Sequence, residues 1–496
     1  MGANRVAVIG AGIGGLATAL ELSARGIEVL VFERAAAPGG KMREASAGIA
    51  RVDAGPTVLT MRWVFDELFE AVGASLTDAL TLRGVDTLAR HAWNDSERLD
   101  LYADESQSID AIGTFAGATE ARAYRAFADR ARRVYRTLEG PFIRASRPSP
   151  LELTRRAGWS GLNDLWRISP FTTLARALGQ HFRDPRLRQL FGRYATYCGS
   201  SPFHAPATLM LVAHVEREGV WLVEGGMHRI AQVLARLAVD RGASIRYGAD
   251  VTDVHVEGGK VAAIVLATGE RLAVDAVVVN ADAAAVASGK LGPGIARAVP
   301  AIPRAARSLS AMTWTCMAKT AGFPLTRHTV FFSRDYPAEF EDLLRHDRVP
   351  AEPTVYVCAQ DRDDHGVLST TGAERLLCLV NAPPSGDVRR FEPLETAQCE
   401  ARMFAMLARC GLQVEPRHKV VTTPADFERL FPATGGALYG RASHGWAASF
   451  RRPGARTRVP GLYLAGGSVH PGPGVPMAAL SGRLASRALL EDFGAL

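Results

Sequence analysis

The hydrophobic positions at the start of the chain change period twice. Val6, Val8 and Ile9 form a short apolar run that ends in glycine, the pattern of a buried parallel strand. Leu16, Ala17, Ala19, Leu20 and Leu22 follow at helical spacing, and Gly26 has the character of a helix C-cap. Glu28 to Phe32 resumes a strand, with Glu33 at its end. The turn inside this βαβ half-unit reads Gly10-x-Gly12-x-x-Gly15, with Gly14 beside the last glycine. Gly10 permits the tight turn, Gly12 leaves no side chain between backbone and a pyrophosphate, and Gly15 lets helix and strand approach. The unpaired N–H groups of the first helical turn attract phosphates, and Glu33 can accept hydrogen bonds from a ribose diol. The unit reads as a dinucleotide cradle. The alternative is a glycine-rich turn in another α/β protein, with Glu33 a solvated strand-end acid.

Further along, Val64, Leu68, Phe69 and Val72 predict a helix from Trp63 to Gly73. Leu101 to Asp110 alternates loosely and is expected as a strand pair in a second domain. Ala116 to Leu138 is a charged helix with Tyr124, Phe127, Val134 and Tyr135 on one face, and Phe171 to Tyr197 is helical with a break at Asp184-Pro185. A helix over Ile230 to Arg241 precedes strands at Ala243 to Asp250 and Val251 to Val256, then a hairpin around Gly269. Ala276 to Val279 is a buried strand that ends in Asn280-Ala281-Asp282, a small polar turn of the kind found at the ligand edge of a sheet. Strand-like runs at Met312 to Ala318, His328 to Phe332, Thr354 to Cys358 and Leu376 to Val380, with a helix from Pro393 to Cys410, suggest a mixed sheet forming one wall of a substrate pocket. Gly461 to Gly467 is a buried strand running into a glycine turn, and a last helix is expected from Ala478 to Leu490.

With 496 residues the chain exceeds the roughly 250–300 residues of a single core, so two domains are the default. The net charge of +7 is modest, and no Lys/Arg tract with interleaved aromatics points to nucleic acid. The six cysteines form no C-x-x-C and no metal-ligand spacing, so they read as reduced thiols of a cytoplasmic protein, with no metal. No uncharged apolar run reaches the roughly twenty residues of a membrane span, and no signal peptide precedes the first strand, so the expected location is cytoplasmic. The stretch from Arg130 to Trp166 places Arg130, Arg132, Arg133, Arg136, Arg144, Arg147, Arg155 and Arg156 among Phe142, Ile143, Trp159, Leu162, Leu165 and Trp166. Cations beside aromatics suit a membrane-surface element; a solvated helix face with a few core aromatics is the other reading.

Three further segments carry a family resemblance. Pro38-Gly39-Gly40-Lys41-Met42-Arg43 and Asp53-Ala54-Gly55-Pro56-Thr57 follow the opening unit, and His470-Pro471-Gly472-Pro473-Gly474-Val475-Pro476-Met477 follows Gly466-Gly467 near the end. Together with the opening unit they resemble the carotenoid desaturases of the phytoene-desaturase type, FAD flavoproteins within the glutathione-reductase-like group that includes amine oxidases. Arg193 to Pro202 and Phe431 to Gly440 match the same pattern, the latter particularly the branch acting on 1-hydroxy- or 1-methoxy-carotenoids. The resemblance implies a Rossmann-like α/β FAD-binding domain of glutathione-reductase/amine-oxidase type, assembled from residues 1–105, 221–290 and 455–496. A mixed α+β substrate domain, residues 106–220 and 291–454, is inserted in it. It implies FAD contacts from Gly10, Gly12, Gly14, Gly15, Glu33, Arg34, Gly40, Lys41, Gly55, Pro56, Thr57, Val251, Asn280, Gly466, Gly467, Gly474, Val475 and Pro476, with Ala281 nearby.

No second G-x-G-x-x-G exists for a nicotinamide donor; Gly225-Gly226, Gly258-Gly259 and Gly435-Gly436 lack the spacing. The resemblance implies dehydrogenation of an apolar C40 polyene by hydride transfer to flavin, with oxygen or a membrane quinone as electron acceptor. The expected specificity is 3,4-desaturation of a 1-hydroxy- or 1-methoxy-carotenoid, with phytoene desaturation as the alternative. An enzyme with a lipid-soluble substrate is expected at the inner membrane surface. Two readings from other classes share the fold: a flavin amine oxidase, and a lipid-binding carrier like the Rab GDP-dissociation inhibitors, which lack an intact cofactor site. No catalytic acid or base stands out. His470 can orient substrate or relay a proton, or it is a structural turn residue; Asp53 is expected to bond the backbone of its own turn.

Overall fold

The computed structural model describes residues 4–156, 171–370 and 372–495. The opening unit folds as read, with β1 (Arg5–Ile9), α1 (Ile13–Ser23) and β2 (Glu28–Glu33). β1 lies at the centre of a five-stranded parallel sheet, between β2 and Ala276–Val279; Ser244–Tyr247 and Leu462–Leu464 form the edges. Strands from both ends of the chain thus join one sheet, on either side of Ala276–Val279. The continuous apolar run of β1 follows from burial on both faces. Val6 and Val8 pack with α1 and the helices His228–Asp240 and Val475–Asp492. Ala7 and Ile9 pack against an antiparallel sheet of Val251–Glu257, Lys260–Leu266 and Arg271–Ala273.

α1 and the C-terminal helix touch backbone to backbone. A Cβ on Gly482 would stand 2.2 Å from the Gly14 carbonyl oxygen, and the Thr18 hydroxyl donates to Gly14 O at 2.8 Å and to Gly482 O at 3.1 Å.

A second sheet holds seven strands, in the order Leu412–Thr422, Ser310–Gly322, Glu374–Ala382, Val355–Ala359, His328–Phe331, Thr87–Ala92 and Arg98–Tyr102. Period-two alternation divides it. Met312, Trp314, Cys316, Val355, Val357, Leu376, Cys378 and Val380 pack on the helix Pro393–Arg409. Thr313, His328, Val330, Tyr356, Leu377 and Leu379, on the alternate positions, line a large cavity.

Three expectations change. Residues 87–102, within the stretch assigned to the cofactor domain, join the seven-stranded sheet. Leu101 to Asp110 is not a strand pair: the strand ends at Tyr102, and Asp104 caps the helix Glu105–Ala116 by accepting from the Gln107 N–H at 2.9 Å. Strand Leu412–Thr422 carries no clear signal in the sequence, because its exposed polar residues hide the alternation. The helical break at Asp184 is present, with Asp184 capping Pro185–Gly192.

Candidate functional site

The two ends of the chain meet around one cavity of about 1000 Å³. Gly10, Gly12, Gly14, Glu33, Arg34, Gly40, Lys41, Gly55, Pro56, Thr57, Val251, Asn280, Ala281, Gly466, Gly467, Gly474, Val475 and Pro476 all line it; Gly15 does not. Gly15 lies beneath the turn, where a Cβ would come within 2.1 Å of the Gly10 carbonyl oxygen. Gly10 takes φ +96°, as the tight turn requires. The need for glycine at position 12 differs from the expectation. Its missing Cβ would meet Asn280 Nδ2 at 2.6 Å rather than face a ligand, and at Gly14 it would meet Asn280 Oδ1 at 2.7 Å. Asn280 is the hub of the cradle, and its amide donates to Gly10 O at 3.3 Å.

Neither α1 nor the C-terminal helix has a side-chain cap; they begin at Gly12 and Gly474. Two uncapped N-termini at one cavity leave first-turn N–H groups and the positive dipole ends for an anion. Glu33 is buried, and its carboxylate accepts from the N–H groups of Ala11 at 2.7 Å and Ala35 at 2.8 Å. It therefore locks the glycine turn to the end of β2 while facing the cavity. The Gly39-Gly40 turn folds over the glycine loop, with Gly39 N–H donating to Ala11 O at 2.8 Å. An extended dinucleotide, with ribose toward Glu33 and diphosphate toward the helix ends, fits this arrangement of donors and acceptors.

Several cations are engaged elsewhere. Arg34 donates to the carbonyls of Arg429 and Leu430 and so ties the end of the helix Pro424–Leu430 across the cavity. The Lys41 ammonium donates to Leu438 O at 2.6 Å, and burial lowers its pKa. Arg452, which the sequence did not single out, is buried and donates to Tyr439 O at 2.9 Å and Gly467 O at 3.3 Å. Burial brings its pKa down to about 10.

His470 does not line the cavity. Its Nε2 lies 2.9 Å from both Phe142 O and Ala145 O, so its observed contacts pin a loop, as the structural-turn reading expects. Asp53 departs from its expected role: its carboxylate accepts from Met227 N–H at 2.8 Å and His228 N–H at 3.3 Å, far along the chain rather than within its own turn. Burial is the main cause of its raised pKa.

Burial also draws His328 down to about 3 and His470 to about 4. Both are neutral in the fold, and the unfolded chain takes up protons below about pH 6.5 that the folded chain refuses. The stability they confer is complete above about pH 6.5 and falls as the pH drops toward about 4. Urea midpoints across that window are expected to fall steadily, each pH unit costing up to about 1.4 kcal/mol per histidine; a flat profile contradicts this.

Away from the glycines, the cavity wall is mainly apolar: Leu138, Ile143, Val212, Val215, Val330, Leu377 and Leu379 face it. Phe171 and Trp446 also line it, are exposed at 64% and 47%, and meet edge to face at 5.4 Å. Of the arginine-rich stretch, Arg132 pairs with Glu105 and Asp129, and Arg144 pairs with Glu67 and Glu139 and stacks on Trp63. Trp159, Leu162, Leu165 and Trp166 lie outside the described residues. Among the described residues no helix is long and apolar enough to cross a membrane.

The profile of flavin-containing amine oxidoreductases matches residues 13–490. Over 493 residues the chain is 54% identical to a hydroxyneurosporene desaturase of Rubrivivax gelatinosus, covering 99% of this chain and 94% of that protein. It is 46% identical to a hydroxyneurosporene desaturase of Cereibacter sphaeroides, over 99% of this chain and 98% of the relative. Among solved structures, an oxidoreductase from Methanosarcina mazei aligns with a TM-score of 0.62 at 18% identity, over 98% of this chain and 100% of that one. A putrescine oxidase variant aligns at 0.63 and 15%, over 99% of both chains. These two likenesses concern the fold alone.

Proposed function

Because the chain belongs to the flavin-containing amine oxidoreductase family, we propose that it is the FAD-dependent enzyme that desaturates a hydroxyneurosporene-type carotenoid, at the 3,4 bond. The observation that carries this reading is full-length identity of 42% to 54% to three proteins named hydroxyneurosporene desaturase. An apolar cavity continuous with the glycine cradle agrees with it.

The cofactor is FAD, and when bound it would supply the acceptor for the hydride lost by one carbon of the CH–CH bond while the neighbouring carbon loses a proton to solvent, with oxygen or a quinone as the final acceptor of the electrons. Glu33 would hold its adenosine end, and the helix N-termini at Gly12 and Gly474 its diphosphate. The Gly55–Thr57 and Gly466–Gly467 turns would hold the ring end. The chain itself supplies a dry channel that fixes the polyene against this cradle. Its apolar wall excludes water, so binding energy along the polyene goes into positioning. Purified protein with FAD in liposomes is expected to convert 1-hydroxyneurosporene to a product with one more double bond and to leave phytoene largely unchanged. Strong conversion of phytoene alone would reassign the substrate, and peroxide release from small amines without carotenoid turnover would favour the amine oxidase reading.

The substrate must enter from lipid. Exposed Phe171 and Trp446 mark where the cavity reaches the surface, with Leu151, 71% exposed, close in sequence to the cavity-lining Pro150 and Leu153. These residues form a membrane-contact rim in this reading. Replacing Leu151 and Trp446 together by glutamate is expected to weaken vesicle binding by at least about tenfold, given the apolar area withdrawn from lipid. Flotation with liposomes measures it, and unchanged flotation would remove the rim from the account.

A further inference from the structure

One corner of the apolar cavity carries polar atoms with no partner. Arg193 is 6% exposed and donates from Nη1 to the Tyr197 hydroxyl at 2.8 Å, while its Nε and Nη2 have no partner among the described residues. Tyr197 in turn donates to Glu216 at 2.8 Å, and Tyr194 donates to the other oxygen of the same carboxylate. His328, 3% exposed, meets the Tyr356 hydroxyl through Nδ1 at 2.8 Å, and its Nε2 is also unpartnered. Arg193 and His328 both line the cavity, and the Arg193 charge is near enough to help keep His328 neutral. Buried donors and acceptors are rarely left unpaired in a core. Here they stand in the wall of a mainly apolar slot, which also holds the hydroxyls of Thr313 and Tyr336, unpartnered among the described residues, so a polar atom of the ligand is their natural partner.

The position of this corner also matters. The Tyr356 hydroxyl lies 2.7 Å from Thr57 Oγ1, and Thr57 belongs to the Gly55–Thr57 turn that lines the cofactor end of the cavity. The polar corner is therefore tied to the place where the reacting bond must lie. In a 1-hydroxy-carotenoid desaturated at its 3,4 bond, the oxygen is only a few bonds from the reacting carbons. Resting on the desaturase reading above, we propose that Arg193 and His328 receive this terminal oxygen and set the preference for a hydroxylated polyene end. Arg193 donates to the oxygen lone pair, as a guanidinium can only donate. In the tautomer whose Nδ1–H donates to Tyr356, neutral His328 accepts a hydrogen bond from the alcohol at Nε2. An ether oxygen can take the first bond but not supply the second, and a hydrocarbon end satisfies neither. A site built to hydrogen-bond a hydroxyl discriminates against analogues that leave its own groups unpaired.

The test uses the full chain loaded with FAD in liposomes, with 1-hydroxyneurosporene, its methyl ether and neurosporene as substrates, and kcat/KM as the readout. The wild type is expected to favour the alcohol over the hydrocarbon by at least about thirtyfold. Arg193→Met and His328→Leu are each expected to cut that ratio at least about tenfold while flavin content is retained. His328→Leu is expected to cut the alcohol-to-ether ratio as well, and Arg193→Met to leave that second ratio nearly unchanged, since both ligands use Arg193. If Arg193→Met loses flavin, His328→Leu decides alone. Equal conversion of alcohol and hydrocarbon by the wild type, or unchanged ratios in a flavin-loaded variant, overturns the inference and leaves the desaturase reading intact. No conversion of any carotenoid overturns both.

Discussion

Gly15→Ala is expected to yield a protein with no bound flavin and a stability lower by at least about 3 kcal/mol. The added Cβ would stand 2.1 Å from the Gly10 carbonyl oxygen, 3.1 Å from Asn280 Cβ and 3.2 Å from Asn280 Nδ2. The nearest atom is backbone and cannot swing aside. Either α1 moves off β1 or the turn between them opens, and both displace the helix N-terminus that faces the cavity. Gly26→Ala is the control: it has φ +78° with nothing within 4 Å of a Cβ, so only backbone strain of about 1 kcal/mol applies. Flavin absorbance per protein and urea midpoints for the pair measure the difference.

The second large effect concerns Glu33. Glu33→Ala leaves the fully buried Ala11 N–H without its acceptor, costing about 1–3 kcal/mol, while the Ala35 N–H, on an exposed residue, can turn to water. It also removes the ribose partner proposed for the adenosine end. FAD affinity is expected to fall about a hundredfold, or about 2.7 kcal/mol. Glu33→Gln, which keeps one acceptor oxygen, should fall between. Titrating apoprotein with FAD and following flavin fluorescence gives the constants; an unchanged affinity for Glu33→Ala would place the adenosine end elsewhere.

The cradle was legible because its chemistry is local. A strand that is apolar on both faces, a glycine turn and a small-residue helix carry their own period, so β1, α1 and β2 follow from Arg5 to Glu33 with no knowledge of the rest. The closing Gly466-Gly467 turn and a last helix, expected from Ala478 and found from Val475, were readable for the same reason. Asn280 was placed near the cofactor, but its role as the side chain that Gly12, Gly14 and Gly466 make room for needs the packing of three separate segments. Arg193 and His328 were invisible as site residues. His328 sits on a strand whose two faces are both buried, and alternation does not say which face meets a helix and which a cavity. His470 stood out in its motif, yet the fold turns it toward Phe142 and Ala145.

The central claim is that residues from both termini hold one flavin against an apolar slot that takes the hydroxylated end of a polyene. Anaerobic mixing of the FAD-loaded protein with 1-hydroxyneurosporene tests it in a single turnover. The account predicts bleaching of the visible flavin band, matched mole for mole by a product lighter by one pair of hydrogens and with a longer chromophore. A flavin that stays oxidised with the carotenoid, and bleaches instead with a small primary amine, would contradict it.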